Sequence, residues 1–151
     1  MLVSYPALFY YEKSGTATFH VKFPDFKETL IQGVDVTDAL AKAADWLGTT
    51  VANLLENDCA VPTASLLYDV SLANDDTKSD EPSFDPKQSF KSMVLVNLDS
   101  YLNSNVKVKK SVAIPKWADR TGAKLNLNLS RTLTEAIAKI KIESDAEKAQ
   151  R

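Results

Sequence analysis

With 151 residues the chain can hold one ordinary domain or two small ones, and an apolar share of 44% is ample for a folded core. The formal charge of −2 hides an uneven distribution: residues 1–104 carry 7 Lys and Arg against 15 Asp and Glu, a balance of −8, and residues 105–151 carry 11 against 5, a balance of +6. An acidic body with a basic end fits a polyanion-binding module carried by a domain with another task. No apolar run approaches a membrane span and Met1-Leu2-Val3-Ser4-Tyr5-Pro6 lacks a secretory start, so a cytoplasmic protein is expected; the single cysteine rules out an intrachain disulfide or a cysteine metal cluster.

In chain order, Leu2 to Glu12 is apolar and aromatic enough for a strand, Ser14-Gly15 turns, and Thr16 to Phe23 alternates. Phe19, Val21 and Phe23 share one face of that hairpin; Thr18, His20 and Lys22 share the other. After the Phe23-Pro24-Asp25-Phe26 bend, Thr29 to Gln32 is predicted as a third strand ended by Gly33. Thr37 is the expected cap of a helix with Leu40, Ala43, Ala44 and Leu47 on one face, and Gly48 weakens or ends it before Val51, Leu54 and Leu55 continue the stripe to about Asn57. Cys59 is expected as a small, partly buried apolar residue. Residues 74–89 are polar and acidic, an exposed loop or insertion. Ser92 to Asp99 forms a further strand that returns to the N-terminal sheet. Trp46 and Trp117 fall in helical stretches as packing residues.

The stretch from Val106 to Lys141 is the most informative. Alternation over Val106 to Ile114 places Val106, Val108, Val112 and Ile114 on one face and Lys107, Lys109, Ser111 and Ala113 on the other, with Lys110 breaking the apolar face. Pro115 cannot extend a paired strand but suits the first turn of a helix over 116–122. A second helix follows, capped by Asn128 or Ser130, with Leu129, Leu133, Ile137 and Ile140 at helical spacing. Such a segment is too small to bury its own core, and a lone strand leaves its backbone groups unpaired. Two copies solve both problems: paired antiparallel strands lay Val112 and Ile114 on four helices, with Leu129, Leu133 and Ile137 completing the dimer core. The opposite face becomes a ribbon that fits the DNA major groove. There Lys109 would reach guanine acceptors, Ser111 several base edges and Ala113 a thymine methyl, while Lys107 and Lys110 add positive charge. The second-helix N-terminus, Asn128, Ser130 and Arg131, would offer amides and charge to a phosphate. The plainer alternative is an edge strand with solvated lysines in an ordinary α+β domain. Glu143 to Arg151, polar and mixed in sign, is expected to fray.

Tyr5-Pro6-Ala7, the Phe23-Pro24-Asp25-Phe26 bend, Gln32-Gly33 and the Asp38-Ala39-Leu40 helix start together resemble the N-terminal domain of HicB-type antitoxins. Val112-Ala113-Ile114-Pro115-Lys116-Trp117 and Asn128-Leu129-Ser130-Arg131-Thr132-Leu133 resemble the ribbon–helix–helix domain that one branch of that family carries. The resemblance implies an α+β fold: an N-terminal antiparallel sheet with one main helix, similar to a partial ribonuclease H, over 1–101, then a dimerising ribbon–helix–helix domain over 102–151. It implies that the first part blocks a HicA-type mRNA-cleaving toxin and that the dimer represses their operon. The toxin contacts are first sought on the exposed side of the 37–57 helix and neighbouring strand residues.

Two other classes compete. Ribonuclease-H chemistry needs converging carboxylates around metal ions, and Glu12, Asp25, Asp35 and Asp38 fall in turns or at a helix start without such a pattern. His20 sits on a polar strand face, suited to a surface or hydrogen-bonding role, and glycines at 15, 33, 48 and 122 alone draw no phosphate-cradling loop. No catalysis, metal or cofactor is therefore expected. The third class keeps the DNA arm as a stand-alone repressor with a ligand-sensing N-terminal domain.

Overall fold

The computed structural model describes residues 1–12, 18–72, 84–102 and 107–150. Strands β1 (Leu2–Tyr11), β2 (Phe19–Lys22), β3 (Ile31–Gly33) and β4 (Phe90–Asn97) form one antiparallel sheet in the order β3-β2-β1-β4. The expected Ser14-Gly15 turn lies outside the described residues, but the hairpin it would join is present, with Phe9 opposite Val21 and Tyr11 opposite Phe19. β4 returns beside β1 as anticipated, pairing Val3 with Val96 and Tyr5 with Val94.

Strand alternation sends Tyr5, Ala7, Phe9, Phe19, Val21, Val94 and Val96 to the same side, where α1 (Val36–Glu56) covers them. Phe9 is fully buried and stacks on Phe90 at 4.6 Å between ring centroids. Trp46 is a packing residue as expected, stacking on Phe23 at 5.3 Å.

Three expectations about the third strand and helix need correction. β3 begins at Ile31 rather than Thr29, whose hydroxyl instead accepts the Phe23 N–H, and it ends at Gly33. A Cβ on Gly33 would stand 2.6 Å from the Ala39 backbone, so glycine is needed for the strand to approach the helix, not for a turn. The cap is Asp35, not Thr37: its carboxylate accepts the Asp38 N–H, and Asp38 in turn accepts the Val34 N–H. The expected stripe holds at Ala43, Leu47 and Val51, with Ala44, Leu54 and Leu55 packed at its margin; Ala39 and Ala52 join it, and Leu40 is exposed. The helix runs unbroken through Gly48, because the Tyr101 ring occupies the space a side chain would need: a Cβ there would lie within 2.6 Å of it. The Asp38 carboxylate also takes Lys42, whose ammonium reaches the Gln32 carbonyl of β3 at 3.1 Å.

Residues 57–72 cross from the end of α1 along the sheet, pinned by Asp25 to Ser65 and by Lys91 to the Val70 carbonyl. Cys59 is exposed, contrary to expectation, because it follows the helix end and the left-handed Asp58 rather than facing the core. Of the loop expected to be exposed over 74–89, residues 84–89 are held to the sheet: Phe84 packs edge-on to Tyr10 and Asp85 N–H donates to the Tyr11 carbonyl. Residues 73–83 lie outside the description.

Tyr5 is buried, and its hydroxyl donates to the Pro62 carbonyl at 2.6 Å. Burial first, and the nearby Asp25 charge second, push the phenol up from 10.0 to about 12. A raised folded-state value means that the contribution is complete below the unfolded value and is lost as pH rises through the folded one. Tyr5→Phe is thus expected to cost about 1 kcal/mol at neutral pH and to flatten the loss of stability above about pH 10. Urea denaturation across that range checks it; an unchanged alkaline slope would contradict it.

Candidate functional site

The basic end contains two helices, α2 (Lys116–Lys124) and α3 (Leu129–Ala149). Pro115 stands just before α2 with extended backbone, and its carbonyl accepts from Ala118 and Asp119. Asn126 adopts φ 52° in the tight corner between the helices. Asn128 caps α3, its side chain accepting the Arg131 N–H at 3.0 Å, which decides between the two caps considered. Gly122 is the buried residue of α2 and faces Leu129 across that corner.

Residues 107–115 carry no regular secondary structure in this single chain, and Val106 lies outside the described residues. A two-stranded ribbon needs a second strand, so one copy has no ladder to make. Lys107, Lys109, Lys110, Ser111 and Ala113 are all exposed, as are Asn128, Ser130 and Arg131. Val112 (64%), Ile114, Leu129, Leu133 (45%), Ile137 and Ile140 (64%) are exposed as well. Val108, Trp117, Leu125 and Leu127 extend the uncovered set, so Trp117 is not packed within the chain as expected. So much apolar surface on one arm exceeds the scattered exposure of an ordinary surface.

Electrostatics add a feature that alternation does not reveal. Arg131 bonds Glu135 through Nε at 2.9 Å and Asp99 through its terminal nitrogen, and these carboxylates, Glu135 foremost, raise its value. Asp99 also receives the Met1 amine at 2.6 Å, a hydrogen bond that, with the amine and Arg131 charges, holds its carboxyl below the usual range. Asn128, assigned to a phosphate contact, already spends its side-chain oxygen on the helix cap. The expected fraying of 143–151 does not occur up to Ala149: α3 continues, and Lys141 meets Asp58 at 3.1 Å and Asp145 at 3.2 Å. The long-range pairs, Arg131 with Asp99 and Lys141 with Asp58, join residues with no shared motif, so composition offered no signal for them.

On the acidic body, the side suggested for partner contact has Leu30, Gln32, Lys42, Asp45, Trp46 and Thr49 around a shallow hollow, with Leu30, Val34, Val36 and Leu40 exposed nearby. His20 Nε2 lies 3.0 Å from the Glu12 carboxylate. Among the described residues no three metal-capable side chains converge, and no helix is long and apolar enough to cross a membrane.

A search of curated proteins finds no match. The family model described as HicB_like antitoxin of bacterial toxin-antitoxin system matches residues 4–73, which hold most of β1, then β2, β3, α1 and the crossing segment. Among solved structures, a chain of a toxin–antitoxin complex from Streptococcus pneumoniae is 44% identical, with 93% of this chain and 100% of that one covered and a TM-score of 0.65. The antitoxin HicB of Burkholderia pseudomallei shares the fold at 21% identity, with 91% and 98% covered and a TM-score of 0.56. The second likeness carries the architecture alone, but the first extends at substantial identity along nearly the whole chain, beyond the part that the family model matches. The chain belongs to the HicB-like antitoxin family.

Proposed function

We propose that residues 1–101 bind and neutralise a HicA-type mRNA-cleaving toxin, and that residues 102–151 form a homodimer that binds operator DNA and represses the operon encoding both proteins. The antitoxin acts by occupying surfaces and needs no catalytic group. The observation that carries the reading is the pairing of two unlike surfaces on one chain of this family. The body is acidic, suited to a basic RNA-binding protein, and such complementarity chiefly speeds encounter and selects the partner. The arm exposes Lys107, Lys109 and Lys110 next to apolar side chains that only a second copy of the arm would cover symmetrically. In that dimer Val112, Ile114, Leu129, Leu133 and Ile137 form the core. Lys109, Ser111 and Ala113 face base edges, and Ser130 and Arg131 flank a phosphate.

The test is to express the tagged full chain with its native operon neighbours and weigh what co-purifies. The expected result is a small basic protein in a defined ratio, whose RNA cleavage is silent in the complex and returns when the antitoxin is removed. A chain that emerges without a protein partner would turn the reading towards a stand-alone, ligand-sensing repressor.

A further inference from the structure

The exposed large apolar side chains of α3 end at Ile140, yet the helix continues to Ala149. The extra turns are not idle. Ile142 packs against the hydrophobic core of the body. Asp145, with only 9% of its side chain exposed, accepts the Val61 N–H at 3.1 Å. Val61 is itself buried, and its amide needs a partner there. Lys141 sits between Asp58 and Asp145 and joins the two carboxylates, one from the body and one from α3. At the other end of the same helix, Arg131 reaches Asp99 of the body.

The chain entering the arm is fastened too. Tyr101 lies against Gly48 in the middle of α1, and Leu102 packs on the core. The arm is therefore held at its entry and again at its exit.

We propose that residues 141–145 of α3 are a clasp whose docking site is the body segment Asp58 to Val61, and that this clasp sets the orientation of the arm on the body. The occupant is this chain's own helix, identified by an apolar anchor, a half-buried carboxylate matched to one backbone amide, and an ammonium matched to Asp58. Two bodies joined by their arms are then held at one fixed separation and angle, and a protein seated near Asp58 to Val61 meets the helix that orients the DNA-facing surface. The clasp stands on contacts within one chain, so it does not depend on what the arm or body binds.

The experiment is amide hydrogen exchange on the full chain without DNA or toxin, comparing the native protein with Asp145→Ala and Asp145→Asn, alongside small-angle scattering. In Asp145→Ala the Val61 amide should exchange faster by about tenfold or more, the scale of losing a hydrogen bond to a charged group. The Phe9 and Val21 amides should keep their native rates, and the radius of gyration should rise as the arm swings. Asp145→Asn keeps an acceptor oxygen and should fall between the two. Unchanged exchange at Val61 would overturn the clasp. So would equal acceleration of all body amides in both variants, which would make the end of α3 a part of the core and not a detachable fastening.

Discussion

Leu133→Asp should convert the protein from dimer to monomer at concentrations where the native chain is paired, and retention of operator DNA should vanish with it. Leu133 is 45% exposed in the single chain, so an aspartate there meets water and leaves the body intact. In the proposed dimer the same position would lie in the core, and a two-fold axis would introduce the charge twice. Burying an unpaired carboxylate costs several kcal/mol, on the order of a hundredfold or more in a dimer constant for each copy. Sedimentation velocity with far-ultraviolet circular dichroism separates the two states. Lys139→Gln, on an exposed side chain of the same helix, should stay dimeric. A Leu133→Asp protein that sediments as a dimer would refute the packing of α3 against its copy.

Phe9→Ala should cost about 3–5 kcal/mol, a large part of the stability of a domain this size. Phe9 is fully buried at the centre of the sheet, stacked on Phe90 of β4 and opposite Val21 of β2, so its removal empties space that three strands share. Neighbouring strands held by their ladders can close such a cavity only in part. Urea unfolding followed through Trp46 measures the loss, and Phe9→Leu should recover much of it. A loss below about 1.5 kcal/mol for the alanine variant would mean that the core rearranges freely around this position.

What the sequence made legible depended on the range of the interaction. Alternation in Phe19-His20-Val21-Lys22 was enough to orient that strand, because a strand half buried on a sheet repeats every second residue, whereas the all-apolar run Met93-Val94-Leu95-Val96 marked a strand without telling which face is buried. The α2–α3 corner was visible through Pro115 and Asn128, whose effects are local. The helix cap was misplaced by two residues: Asp35 and Thr37 are both good caps, and the choice is made where Gly33 lets β3 close on Ala39. The role of Gly48 was equally hidden, since its partner Tyr101 lies more than fifty residues away. The same holds for Asp145 and Val61. The arm is a different case: its apolar residues are exposed in the single chain, and only in the proposed dimer would a second chain bury them.

One border of the sheet is closed by side chains of its own helix, Lys42 on the Gln32 carbonyl and Asp38 on the Val34 amide. β4 forms the opposite border. A sheet sealed on one side can gain strands only on the other, and two such sheets that meet there complete each other and stop. Growth of that kind ends at a pair, whereas a sheet open at both borders propagates into a fibre. Edge-to-edge extension of this acidic body is thereby limited to the β4 border.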